Sequence, residues 1–302
     1  MLGGIEAGGT KFVCGIGSGP EDILTAEFPT STPDITVASV IEFFKAHRTA
    51  QLDAVGIGSF GPVDLDPLSP TYGHITSTPK AGWENYNLAG AIRGALNVPV
   101  LLDTDVNAAL AGEARWGEIE HLSDAIYLTI GTGIGGGALV GRQIVHGLLH
   151  PEMGHLRLPH DFTADPFPGT CRFHGDCFEG LASGPAMQAR WNAPAGTLPA
   201  HHPAWPLEAR YIAFALVNLT VTLSPQRIVL GGGVMQQSHL FPLIREEFAR
   251  LMNNYIRRRE VIDELDQYIR PPKLGGRAGV LGALVLAQQA FNEACPRKAL
   301  LA

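Results

Sequence analysis

The chain is 302 residues long, 45% hydrophobic and 17% charged, the balance of a globular protein with room for two domains. Lys plus Arg number 22 against 29 Asp plus Glu, and the formal charge of −7 argues against a nucleic-acid-binding surface. Four cysteines make no disulfide scaffold, no apolar run is long enough to span a bilayer, and the N-terminus has no signal-peptide pattern, so a reduced cytoplasmic protein is expected.

Thirty-six glycines exceed the roughly 21 that an average of about 7% would give, and they gather at 3–9, 56–61, 131–137, 231–233 and 275–282. Those clusters are where chemistry is expected. Leu2 to Ile16 reads as a strand, a Gly-rich turn and a second strand. Apolar residues at 37, 40, 41, 43 and 44 predict a helix over Thr36 to His47. Ala54–Ile57 and Val98–Leu102 read as short strands, the second running into Asp103-Thr104-Asp105, and Val106–Trp116 as a helix. Near 125 the pattern restarts, with a strand Ala125–Ile130, a turn Gly131–Gly137 and a strand Ala138–Val145. This likeness to the opening segment predicts two related halves divided near 117–124. Irregular stretches follow at 158–172 and 192–206, then a helix over 207–223 and a strand Arg227–Leu230 that ends in Gly231-Gly232-Gly233. Strands alternating with helices predict α/β layers.

Three kinds of residue in this pattern carry chemistry. Glycines at 8 and 9, followed by Thr10, can bring backbone N–H groups close to a phosphate, or can simply close a hairpin. The turn at 131–137 matches G-x-G-x-x-G, but a strand rather than a helix follows it, which disfavours a Rossmann dehydrogenase. Asp105 and Asp103 stand where a helix begins. Capping explains one polar residue there, whereas a hydroxyl attacking a phosphoryl group needs a carboxylate to accept its proton. Finally, His155-x15-Cys171-x2-His174-x2-Cys177 offers four nitrogen and sulfur donors, the set that tetrahedral zinc prefers; a redox cysteine pair or unrelated polar residues in a loop are the other readings.

Taken in order, the segments 4–11 (GIEAGGTK), 103–108 (DTDVNA), 129–137 (TIGTGIGGG) and 229–234 (VLGGGV) resemble the phosphate, acidic and adenosine motifs of sugar kinases with the actin-like ATPase fold. HPEMGH at 150–155, followed by CRFHGDCFE at 171–179, resembles the ROK (repressor, ORF, kinase) family, and within it the zinc-containing bacterial fructokinases. The resemblance spans about residues 3–285. It implies a two-domain α/β, ribonuclease H-like architecture with an interdomain cleft that closes on sugar. The smaller domain is expected at 1–118 and the larger at 119–302, the last helix being able to pack back on the first.

What the resemblance implies chemically is ATP-dependent phosphorylation of a hexose, most of all D-fructose at its 6-hydroxyl. Glucose, mannose, allose and N-acetylmannosamine are the alternatives, and a non-catalytic binding protein is a more distant one. Asp105 is the implied general base. Gly8, Gly9, Thr10, Lys11, Thr132 and Gly133 are the implied phosphate contacts, Gly231, Gly232 and Gly233 the adenosine contacts, and Glu6 the residue beside Mg²⁺. Gly61, Thr104, Glu152, His155 and Glu179 are implied at the sugar, with Thr104 standing where many relatives carry Asn. The ligands His155, Cys171, His174 and Cys177 would hold a structural Zn²⁺. The loop 78–83 (TPKAGW) resembles loops that line the sugar pocket. A family repressor would carry a DNA-binding domain ahead of the first glycine motif, which here starts at Gly3, so a kinase is expected. The expected partners are sugar, ATP and a second copy in a homodimer, with no nucleic acid and no membrane.

Overall fold

A computed structural model describes residues 1–47 and 51–295. The chain runs β1 (Leu2–Ala7), β2 (Lys11–Gly17), β3 (Leu24–Pro29), α1 (Pro33–Ala46), β4 (Ala54–Ser59), β5 (His74–Ile75), β6 (Tyr86–Asn87), α2 (Leu88–Leu96), β7 (Val100–Thr104) and α3 (Asp105–Trp116). It continues with β8 (Ala125–Ile130), β9 (Ile134–Val140), β10 (Gln143–Ile144), α4 (Phe178–Ala182), α5 (Gly184–Trp191), α6 (Ala204–Leu223) and β11 (Arg227–Gly231). The last elements are α7 (Leu240–Met252), α8 (Arg259–Ile262), α9 (Leu265–Tyr268), β12 (Ile269–Arg270) and α10 (Ala278–Ala294). Among the described residues no helix is long and apolar enough to cross a membrane.

Contacts divide the chain into two compact units, and each holds one five-stranded sheet. Of the described residues, the first unit comprises those of Met1–Glu120, His146–His150 and Gly276–Cys295; the second comprises His121–Val145 and Pro151–Gly275. Helix α10 thus groups with the N-terminal unit, as the sequence allowed, and so does the five-residue segment His146–His150, which lies beyond the expected boundary. The sheet orders are β3-β2-β1-β4-β7 and β10-β9-β8-β11-β12. In each, an antiparallel hairpin (β1 with β2, β8 with β9) meets a parallel neighbour (β4, β11), so the two sheets repeat one topology.

Glycine lets the layers of the first unit touch backbone to backbone. A Cβ on Gly4 would lie 2.7 Å from the Val280 carbonyl oxygen, one on Gly56 1.9 Å from that of Ala283, and one on Gly112 2.6 Å from that of Ala278. A Cβ on Gly282 would lie 1.6 Å from the Ala108 carbonyl oxygen. Hence α10 packs flat on β1, β4 and α3. Much of the glycine at 56–61 and 275–282 therefore serves packing, contrary to the expectation that every cluster marks chemistry.

The second hairpin also corrects the sequence reading. Its turn is only three residues, 131–133, and Gly135, Gly136 and Gly137 lie inside β9. A Cβ on Gly136 would come within 2.6 Å of Leu128 and 2.7 Å of Met153 sulfur, so the strand is glycine-rich because neighbours press on it. Apolar residues fill each unit separately, with Ile5, Phe12, Phe44, Ile57 and Trp83 buried in the first and Leu128, Phe178, Trp205, Ile212 and Phe248 in the second.

Candidate active site

Register assembles the first half of the site. Ala7 pairs with Ser59 and Ser59 with Thr104, so the carboxyl ends of the parallel strands β1, β4 and β7 finish level with one another. That edge carries Glu6 and the turn Gly8-Gly9-Thr10, then Gly61, then Thr104 and Asp105. Ligands of open parallel sheets bind at such edges.

The two aspartates of the acidic motif differ in what engages them. Asp103 is buried, and both its oxygens are taken: Oδ2 meets His146 Nε2 at 2.9 Å, and Oδ1 accepts from Asn107 Nδ2 at 2.8 Å and from the Thr104 N–H at 2.7 Å. Thr104 is buried as well, and its hydroxyl accepts the Asn107 N–H at 3.1 Å, capping α3. Among the described residues Asp105 accepts only backbone N–H groups, that of Val106 at 2.9 Å and its own. Burial pushes its carboxyl up to about 6, partly offset by the Val106 N–H, which suits a base working near neutrality.

Glu6 sits against the start of α10. Gly279 has no side chain there because a Cβ would lie 2.3 Å from the Glu6 carboxyl carbon. Burial first, and then the Asp105 charge, push Glu6 up to about 7, while the Val280 N–H and the Lys11 charge oppose the shift. Its Oε2 is buried with no hydrogen-bond partner. Such an orphaned oxygen beside a second carboxylate fits a cation or its water.

The turn at 8–10 is bent tightly, the Gly8 N–H donating to the Lys11 carbonyl at 3.0 Å. Gly9 and Thr10 are exposed. Lys11 turns away to pair with Glu27 at 2.6 Å. Gly61 stands beside His150, whose Nε2 receives the Val63 N–H at 3.3 Å.

In the second unit the equivalent strand ends are again level, Thr129 of β8 opposite Gly231 of β11. Gly232, at φ +94°, lies so close to Ile130 that a Cβ would meet its carbonyl oxygen at 2.4 Å, which ties the 231–233 turn to the 131–133 turn. The Gly131 carbonyl accepts the Gly184 N–H at 2.7 Å. Ile134 then holds two further segments. Its N–H donates to Glu179 Oε2 at 2.9 Å, and its carbonyl oxygen would be 1.9 Å from a Cβ on Gly154. Glu152, His155, Glu179, Thr132 and Gly133 are thus collected around one backbone residue, a convergence that motif spacing did not reveal.

The four nitrogen and sulfur donors converge too. Cys171 Sγ is 3.7 Å from His155 Nδ1 and 3.6 Å from His174 Nδ1, and Cys177 Sγ is 3.5 Å from His155 Nδ1. All four atoms lie within 4.8 Å of one another. Bonds of about 2.3 Å to sulfur and 2.0–2.1 Å to nitrogen make a tetrahedral S···N edge of about 3.6 Å, so this donor set fits Zn²⁺. Burial and the neighbouring Cys171 hold the Cys177 thiol up at about 11, a state that a dication would reverse. The knuckle closes by reciprocal bonds between Cys171 and Gly175, at 3.1 and 2.8 Å. Asp176 braces it through Arg157 at 2.7 Å and the buried His160 at 3.2 Å.

Comparison with known proteins agrees with this geometry. The ROK family model matches residues 2–290. A chain from Bacillus subtilis is 50% identical over 97% of this chain and 97% of its own length. The fructokinase of Pediococcus pentosaceus is 44% identical over 97% of this chain and 100% of its own, and that of Zymomonas mobilis 41% over 97% and 98%. Among solved structures, a ROK hexokinase from Thermus thermophilus matches with a TM-score of 0.78 at 25% identity, covering 97% of this chain and 99% of that one. A ROK glucokinase from Streptomyces griseus, in complex with glucose and AMPPNP, matches at 0.74 and 26% identity, covering 95% and 99%. With its repeated sheets, level strand ends and full-length match, this chain has the actin-like ATPase fold and belongs to the ROK family.

Proposed function

We propose that this protein transfers the terminal phosphoryl group of ATP to the 6-hydroxyl of D-fructose. The observation that carries the reading is Asp105: a desolvated carboxylate with little else to bond, level with a glycine turn built to receive phosphate. Asp105 takes the proton of the 6-hydroxyl as that oxygen bonds to phosphorus. The bond from phosphorus to the bridging oxygen breaks, and its electron pair leaves with ADP. Gly8, Gly9, Thr10, Thr132 and Gly133 supply backbone and hydroxyl donors to phosphate, and Gly231–Gly233 lie along the adenosine. Magnesium, when bound, neutralises charge on the phosphate oxygens, and Glu6 would hold it.

Glu152, Glu179, Gly61 and the second ring nitrogen of His155 select the sugar, while Thr104 keeps α3 capped beneath Asp105. His155, Cys171, His174 and Cys177 would hold zinc, which contributes folding energy to its loop. The same reading carries a homodimer in the cytoplasm, and light scattering on the purified protein tests the dimer.

The deciding assay is ADP release with Mg-ATP and single sugars: fructose, glucose, mannose, allose and N-acetylmannosamine. Turnover on fructose well above the rest supports the proposal. A stronger response to another sugar keeps the kinase and moves the specificity. Silence on all five, with fold and metal intact, returns the protein to a binding role.

A further inference from the structure

Lys80 lies 71 residues beyond the first glycine turn in sequence, yet its ammonium donates a hydrogen bond to the Gly9 carbonyl. A rigid platform puts it there. Trp83 is fully buried, with its ring 5.3 Å from Phe12, 5.6 Å from Phe60 and 5.4 Å from Tyr86, and its indole N–H donates to the Ser31 carbonyl at 2.7 Å. Phe12 belongs to β2, directly after the turn, so loop and turn share one aromatic cluster. The loop closes on itself through the Trp83 N–H to the Lys80 carbonyl at 3.1 Å and the Lys80 N–H to Thr78 Oγ1 at 3.3 Å.

The turn itself is dressed for an anion. Thr30 donates from its hydroxyl to the Gly8 carbonyl at 2.7 Å and from its N–H to the Thr10 carbonyl at 2.9 Å. With Lys80 on Gly9, all three carbonyl oxygens of the turn are covered. The N–H groups of Gly9 and Thr10 donate to no group among the described residues. Lys11, the cation that the sequence motif suggests for phosphate, is paired with Glu27 instead. Lys80 is the cation that touches the backbone of the turn.

We propose that Lys80 is a catalytic residue of phosphoryl transfer, its ammonium exchanging the Gly9 carbonyl for the terminal phosphoryl group of the nucleotide seated on the turn. The inference rests on the kinase reading above and assigns the 78–83 loop to phosphate rather than to sugar alone. An ammonium facing an anionic phosphoryl oxygen gains a charge–charge attraction that a neutral carbonyl does not offer, which favours the exchange. Asp105 takes the hydroxyl proton, and the ammonium offsets charge on the oxygens of the group in transit.

Binding of Mg-AMPPNP and of Mg-ADP to the wild type, Lys80→Met and Lys80→Arg, read by calorimetry, tests this alongside steady-state kinetics. For Lys80→Met, AMPPNP affinity should fall about tenfold with ADP affinity kept within about twofold. Its kcat should fall about 100-fold with the KM for fructose little changed, and Lys80→Arg should recover most of both losses. Equal loss for the two nucleotides, no loss for either, or a change confined to the KM for fructose would overturn the assignment. Failure of Lys80→Arg to recover, with a melting point as low as that of Lys80→Met, would make Lys80 structural and overturn it as well. A wild type that binds neither nucleotide would instead sink the kinase reading.

Discussion

The two glycine turns occupy the same place in two copies of one sheet topology, yet they carry opposite charge. At 8–10 a lysine and a threonine cover the carbonyls and leave N–H groups outward. At 131–133 a carboxylate, Glu179, takes the N–H of the next residue, Ile134, while the Gly184 N–H covers the Gly131 carbonyl. The same hairpin geometry thus serves two tasks. On the proposed function, cationic dressing suits the charge-dense end of a polyphosphate, while the carboxylate brace would tie a phosphate contact to a loop proposed to bind sugar. Backbone repetition alone does not assign function; the side chains delivered from distant segments do.

The sharpest way to break this comparison is at Asp105, which sits at the first turn's edge and has no counterpart at the second. Asp105→Asn should lower kcat about 10³-fold with the fructose KM within a few-fold, by steady-state assay. Near-normal turnover would remove Asp105 as the base. Because its carboxyl is held up at about 6, the wild-type kcat/KM should rise with pH through that value, as the base form appears, and level off above it.

Next in size is the metal loop, which braces only the second turn. Elemental analysis should find about one zinc per chain, and removal by a chelator should lower the melting temperature by about 10 °C. Hydrogen exchange should then speed up over 152–181 while the β1–β2 hairpin keeps its protection. Equal loosening of both would mean that the two turns are not braced independently. The smallest effect is expected at Glu179. Glu179→Ala, which leaves the Ile134 N–H without its acceptor, should cost about 1–2 kcal/mol in urea unfolding, and Glu179→Gln, which keeps an acceptor, clearly less. Identical losses would show that charge rather than the bond matters there.

Local spacing made the cluster of four nitrogen and sulfur donors, the acidic turn and the strand-turn-strand openings readable, because each is written within a short stretch of chain. Longer-range contacts were not readable. Nothing near Gly9 announces Lys80, nothing near Asp103 announces His146, and Glu179 shows no sign that it holds Ile134. The glycine clusters misled in a physical way: a residue chosen because a helix presses on it looks the same as one chosen for a phosphate. Gly56 and Gly282 are of the first kind, whereas Gly9, with open space where a Cβ would lie, is not. The boundary of β9 slipped by four residues for the same reason. Helices α2, α5 and α7 carried weaker signals than the motifs and emerge only with the fold.

The helix α10 gives the N-terminal unit a peculiar schedule. Its sheet is written in residues 2–104, but the helix that covers β1 and β4 and supplies the Val280 N–H to Glu6 is the last described element of the chain. On the ribosome the first unit to be synthesised must wait, with glycine-lined backbone uncovered, until residue 294 has emerged. The second unit, complete at Gly275, has all its parts earlier. A chain interrupted near 276 would therefore fail at its beginning, losing the edge that carries Asp105 while the loop with the four nitrogen and sulfur donors folds.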